Sequence, residues 1–323
     1  MQGTVKKGYQ LFMALVVMTA AACAGPTARV PVTRPATVNL SGMNQIAVGH
    51  IEGPGGQMIA DSLSEQLIGT DYFKVMNPGG LGRVLEESNL ELISLIGLIN
   101  PETAAQFRDL LGVDIIVTGK VLDFDYTQSR TRSKSREGKD GKDHQTYYKK
   151  GTGVVTTAFR ITNLRDGHVV YSKTVSRSAR ATTSAEDRWP HDPDERAVLD
   201  EAVHAAVASF VREIAPYREV ITVRLAKNET ELLEMENGLN YARAGQWEIA
   251  AEQFEVAVRK EPFNQSAWYN LGLAYEYTCR FDQAESAFKK ASSIKPCKDC
   301  VAEINNVRRL AVERKMLEEQ GAI

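Results

Sequence analysis

The chain has 323 residues, a formal net charge of −2 and 43% hydrophobic residues. Its length suits about two domains of ~150 residues each. A charge so near zero argues against nucleic acid as a partner. Five histidines (His50, His144, His168, His191 and His204) are scattered without HExxH or other tight ligand spacing, so neither a metal nor a cofactor is expected.

The chain opens with Lys6 and Lys7, then the apolar run Leu11–Met18, then Thr19-Ala20-Ala21-Ala22-Cys23. A basic start, a short apolar run and a small-residue cleavage zone make 1–22 a signal segment. The apolar run is too short to span a bilayer, which takes ~20 residues. Cys23 after three alanines resembles a bacterial lipobox, although Ala20 stands where that pattern prefers leucine. The resemblance makes Cys23 the lipidation site; ordinary cleavage among the alanines is the alternative. Ala24 is not the aspartate that favours inner-membrane retention, so the expected place is the outer membrane, facing the periplasm. Residues 23–44 are rich in Pro, Thr, Ala and Val without periodicity and read as a flexible tether.

Residues 45–225 read as a second region. Ile46-Ala47-Val48 marks a strand, Gly53–Gly56 a break, and Ile59, Leu63 and Leu67 a helix face. The glycine turn is no phosphate loop: Met58 replaces the third small residue, and no Gly-Lys-Ser/Thr follows. A strand at Tyr72–Met76 follows, then a helix from Leu81 and another after Asn100-Pro101-Glu102 that Gly112 ends. Val113–Gly119 enters a long strand, apolar on both faces at first and alternating by Leu122, Phe124 and Tyr126. Strands at Thr152–Thr162 and Val169–Ala181 join through Asp166-Gly167, a hairpin signal. Asp192–Glu195 opens a long helix with Leu199, Val203, Ala206, Val207, Phe210 and Ile214 buried, and Glu219–Leu225 reads as a closing strand. The order implies an α+β fold, one mixed sheet with flanking helices.

Ile46-Ala47-Val48, Phe73-Lys74-Val75, Val84–Glu87 and Leu110–Gly119 resemble the curli-export lipoprotein (CsgG-like) family, whose fold is shared by LpoB-like activators of penicillin-binding proteins. The resemblance implies an envelope lipoprotein that works by contacting other proteins. Channel-forming members build a pore from hairpins after the third and fifth strands. Here those regions, 128–150 and 176–192, are polar and lack the apolar alternation of ~10-residue barrel strands. The first carries Arg130, Arg132, Lys134, Arg136, Lys139 and Lys142, with Tyr147 and Tyr148 beside Lys149-Lys150. It reads as a basic loop, either simply solvated or a contact for an anionic envelope surface.

Residues 229–319 carry one pattern twice. Gly238, Tyr241, Ala250, Phe254, Ala257 and Pro262 recur as Gly272, Tyr275, Ala284, Phe288, Ala291 and Pro296, each pair 34 residues apart. That period belongs to helix–turn–helix repeats. The glycines leave room where paired helices touch, the phenylalanines are expected between repeats, and the prolines stop the second helices. Trp268–Tyr275 resembles a tetratricopeptide (TPR) repeat; the first copy departs from it with Glu234 and Asn237 at the Trp268 and Leu271 positions. The repeats are 231–264 and 265–298, and an amphipathic helix with Val301, Ile304, Val307 and Leu310 caps them. The resemblance places Leu232, Met235, Leu239, Tyr269, Asn270, Leu273 and Tyr277 on a peptide- or protein-binding face, with packing inside the molecule as the alternative. Cys297-Lys298-Asp299-Cys300 lacks a second CxxC, so in an oxidising compartment a local disulfide is favoured over free thiols.

No catalytic constellation is present in this reading. It implies a non-enzymatic lipoprotein acting as scaffold or regulator of an envelope machine through its repeats. A component of an oligomeric CsgG-like export apparatus is the alternative.

Overall fold

The computed structural model describes residues 25–76, 104, 108–109, 111–137 and 141–323. The expected signal segment, Cys23 and most of the two helices expected between 81 and 112 lie outside the described residues. The second of these helices is described at its end, where Gly112 takes φ 64° and its N–H donates to the Arg108 carbonyl at 2.8 Å.

In chain order the elements are β1 (Thr27–Arg34), β2 (Gln45–Glu52), α1 (Gly56–Ile68), β3 (Lys74–Met76), β4 (Ile115–Arg132), β5 (Arg136–Glu137), β6 (Asp143–His144), β7 (Thr146–Asn163), β8 (Val169–Glu186), α2 (Glu195–Ile214), β9 (Tyr217–Arg224), α3 (Leu233–Arg243), α4 (Trp247–Lys260), α5 (Gln265–Tyr277), α6 (Phe281–Ile294) and α7 (Lys298–Glu319). They form two compact units. One comprises Pro35–Tyr217 with Leu317–Ile323; the other comprises Arg218–Met316 with the N-terminal strand β1.

The first unit is α+β. Its sheet runs β3-β2-β4-β7-β8, with β2 parallel to β3 and β4, and β4, β7 and β8 successively antiparallel. Ile46-Ala47-Val48 and Ile115-Ile116-Val117 are apolar at every position because both faces of these strands are covered. Ile46, Val48, Ile115 and Val117 pack with Ile59, Leu63 and Leu67 of α1 and Val203, Val207 and Phe210 of α2. Ala47 and Ile116 face the other way, toward Leu111, Val113 and Leu164. Phe159 stacks on Phe210 at 4.2 Å. Asp194 caps α2, its side chain accepting from the Ala197 N–H at 3.2 Å.

The glycine turn after β2 exists for close packing. A Cβ on Gly55, where φ is 72°, would lie 2.3 Å from Phe124 Cε2, and one on Gly56 would lie 1.9 Å from the Ile51 carbonyl oxygen.

Three sequence expectations are corrected. Residues 128–132 and 146–150 of the expected loop are strand instead: the β4–β7 ladder continues from Gln128↔Gly151 to Arg132↔Tyr147, and Thr146–Lys150 also pair with β8. The outer ladder holds on backbone hydrogen bonds and β-branched threonines, without a buried stripe. Residues 23–44 are not a tether throughout, because Thr27–Arg34 is a strand paired with β9. The strand expected at Glu219–Leu225 is β9, and it belongs with the helical unit instead of closing the α+β sheet.

Candidate functional site

The second unit is two helical hairpins, α3/α4 and α5/α6, with α7 following. Each hairpin closes glycine against phenylalanine. A Cβ on Gly238 would lie 2.4 Å from Phe254 Cε1, and one on Gly272 would lie 2.7 Å from Phe288 Cε1. The phenylalanines therefore fill the gap within each repeat, where they were expected between repeats. Asn264 caps α5 through the Ala267 N–H at 3.0 Å, and Trp268 Nε1 donates to the Pro262 carbonyl at 2.9 Å. Cys297 and Cys300 are joined at the start of α7, and Cys279 is free and exposed.

The face expected to meet a ligand is largely filled by the chain itself. Strands β1 and β9 run in opposite directions: the Leu225 N–H donates to the Pro26 carbonyl at 2.8 Å, and Arg34 pairs with Glu219 at 2.7 Å beyond the other end. Arg34 also reaches Glu313 of α7 at 2.7 Å. Ala28, Val30, Val223 and Leu225 of this ribbon share one core with Met235, Leu239 and Leu273, which are buried. Asn270, also buried, holds the backbone of Ala226 from both sides: Oδ1 accepts from its N–H at 2.8 Å and Nδ2 donates to its carbonyl at 2.9 Å. An amide placed on the expected binding face thus grips this chain's own backbone.

Two of the seven named residues remain at an opening. Tyr269 and Tyr277 line a cavity of ≈ 430 Å³ with Ile221–Arg224 of β9 and Asp299, Ala302, Glu303 and Asn306 of α7. Asn306 Nδ2 bridges two carboxylates, donating to Glu276 Oε1 at 2.7 Å and to Glu303 Oε2 at 3.1 Å. Burial, reinforced by the like charge of Glu303, pushes the Glu276 carboxyl up to about 8. Burial also raises Glu303, with Asp299 adding to it. Both tyrosine hydroxyls are raised, first by burial and then by the carboxylates around them.

Sequence reasoning missed Glu276, Glu303 and Asn306. One signal was readable: Glu276 lies four residues after Gly272 and three after Leu273, a carboxylate on the buried stripe of α5.

At the outer end of the α+β unit, the T-shaped pair Tyr147–Trp189 has ring centroids 4.8 Å apart, and the Arg130 guanidinium lies over Trp189 at 5.9 Å. Trp189 is half-exposed and was not named from the sequence. Among the described residues no group of three or more His, Cys, Asp or Glu is placed to hold a metal ion, and no helix is long and apolar enough to cross a membrane.

A family model described as curli production assembly/transport component CsgG matches residues 26–242, more than half of the chain. The chain belongs to the CsgG family. The CsgG match runs from the strand β1 through β9 into α3, so it takes in the ribbon as well as the α+β unit. A tetratricopeptide repeat model matches residues 235–296. No curated protein matches the chain. Among solved structures, this CsgG-family chain is similar to a PelC dodecamer from Paraburkholderia phytofirmans (16% identity, 57% of this chain and 96% of that one, TM-score 0.31). It is also similar to lipoprotein GNA1162 from Neisseria meningitidis (11% identity, 52% and 97% covered, TM-score 0.31). The C-terminal domain of LpoB from Salmonella enterica is a third (8% identity, 42% and 84% covered, TM-score 0.28).

Proposed function

We propose that this CsgG-family chain is a non-catalytic lipoprotein, anchored to the outer membrane through Cys23 and facing the periplasm, whose repeat unit docks a partner protein of an envelope machine. Family membership, the repeats and the N-terminal segment support the envelope role. The observation that carries the docking role is the ≈ 430 Å³ cavity beside Tyr269 and Tyr277, open on a face otherwise filled by β1 and β9. Exposed Ala302 lines it, so Ala302→Trp plugs the cavity without burying a new side chain in the core. Cross-linking and pull-down from solubilised envelopes should recover a partner with the wild type and lose it with this variant. Equal recovery counts against docking here. Palmitate should label the wild type and not Cys23→Ala.

The Arg130–Trp189–Tyr147 cluster supports a second contact, with an anionic membrane surface. A tryptophan beside basic groups suits a headgroup layer. Sedimentation of Cys23→Ala protein with anionic vesicles should exceed that with neutral ones, fall with added salt, and drop on Trp189→Ala. Salt-independent sedimentation would refute an electrostatic contact. The family's description as an assembly/transport component favours an oligomeric export role as the second reading. A ring in negative stain would select it.

A further inference from the structure

The cavity between β9, α5 and α7 has a charge pattern that docking alone does not explain. Asp299 and Glu303 line it, and Glu276 stands directly behind Asn306 and Tyr277. Glu276 is 2% exposed, and its carboxyl is held by Asn306 and Tyr277. Two carboxyl groups, Asp299 and Glu303, thus line one concave wall, with Glu276 buried behind it.

The nearby bases offset that wall only in part. Arg309 is engaged by Glu313 and by Asn306 Oδ1. Arg224, the base in the lining, sits on the exposed side of β9. Tyr269 and Tyr277 also line the cavity, and aromatic rings attract cations. A space of ≈ 430 Å³ takes one long side chain and not a helix or strand. Its acids are not grouped to hold a metal ion, so an organic cation fits better.

We infer that the cavity receives an arginine side chain of the docked partner, its guanidinium meeting Asp299 and Glu303 in front of Glu276. Arginine suits the site better than lysine because its planar fork serves two carboxylates at once and stacks on aromatic rings. This inference rests on the docking role proposed above.

The test titrates the full-length protein calorimetrically with acetyl-Ala-Arg-Ala-amide, and with the same peptide carrying citrulline, the uncharged isostere. The arginine peptide should bind about tenfold more tightly, the worth of one charged hydrogen bond. Glu303→Gln and the exposed-site variant Asp299→Asn should each weaken it by about tenfold. Glu303→Gln removes a charge from an acidic wall and should not lower the melting temperature; Asp299→Asn gives up an acid in the first turn of α7 and should lower it only slightly. Arg224→Gln should tighten binding, which a purely structural role for this wall would not produce. Equal affinity for the two peptides, no binding of the arginine peptide, or indifference to both acid-to-amide changes would overturn the inference. The envelope pull-down separates the two ideas. If Ala302→Trp loses the partner while the arginine peptide fails to bind, docking stands and the arginine assignment falls. If the peptide binds while Ala302→Trp changes nothing in the pull-down, the cavity chemistry stands and the docking role falls.

Discussion

Gly272 leaves room for the edge of Phe288, and Gly238 for Phe254. Alanine at either position gains about 1 kcal/mol of helix propensity. Its Cβ would meet the ring at 2.7 Å or 2.4 Å respectively, and overpacking of this kind costs about 1–3 kcal/mol. Both variants should therefore lower the melting temperature, Gly238→Ala more than Gly272→Ala. A rise in either would mean the ring swings aside freely. Glu276 gives a prediction with a sign. Its folded-state carboxyl is raised to about 8 from 4.5, so between those values the folded chain holds a proton that the unfolded chain has released. Its contribution is fully present below pH 4.5 and is lost as pH rises toward 8. Glu276→Gln keeps an acceptor for Asn306 and removes the titration. Its melting temperature should match wild type near pH 4 and exceed it at pH 8. The raised Glu303 leaves some slope of the same sign in the variant. Glu285, held down to about 2 by Arg308 and Lys289, acts with opposite sign: its contribution is present above pH 4.5 and is lost as pH falls toward 2. The two windows do not overlap. Melting curves that run parallel for variant and wild type across pH 4–8 would refute the buried proton.

The elements show which parts of the sequence were legible. Strands β2 and β4 announce themselves because Ile46-Ala47-Val48 and Ile115-Ile116-Val117 are buried on both faces. The hairpin at Asp166-Gly167 is equally plain, because Gly167 takes φ 73° and its N–H returns to the Asn163 carbonyl at 2.9 Å. The outer halves of β4, β7 and β8 were invisible: Gln128–Arg132 and Thr182–Glu186 bury no continuous stripe, so hydrophobic periodicity had nothing to register. Strand β1 hid for a different reason. Its partner β9 lies almost two hundred residues later, and neither strand has turn chemistry that points to the other. The repeats were read correctly as helices, yet the ligand face was misread in part, since periodicity does not say that Ala226 occupies Asn270. That contact makes its own prediction. Asn270→Ala removes two hydrogen bonds, costing about 2 kcal/mol at roughly 1 kcal/mol each. Asn270→Asp should be at least as harmful, because it sets an oxygen without a hydrogen against the Ala226 carbonyl. Amide exchange at Ala226 should quicken in both variants. Unchanged exchange would mean that the segment is held without Asn270.

For the whole molecule, the pairing of β1 changes how the chain meets a membrane. A proline-rich tail of twenty-odd residues implied a long reach, but Pro26 is already bonded to Leu225 and the strand begins at Thr27. Three residues separate Cys23 from Thr27, and fully extended they span about 10 Å at ~3.5 Å per residue. If Cys23 carries the lipid, the helical-repeat unit is held against the bilayer surface. The local composition that suggested a tether was accurate about flanking prolines and blind to the remote partner strand. The consequence is measurable with the free, exposed Cys279 as a dye site. Energy transfer from that dye to acceptor lipids, in vesicles carrying the acylated protein, should be efficient in the wild-type sequence. Inserting thirty Gly/Ser residues after Ala24 adds a coil of about 30 Å root-mean-square length and should cut the transfer sharply. Transfer that is low in both proteins would show β1 leaving β9 when the chain is anchored, and the repeat face would then be open to an extended strand from a partner. Transfer that is high in both would show a second membrane contact, independent of the anchor.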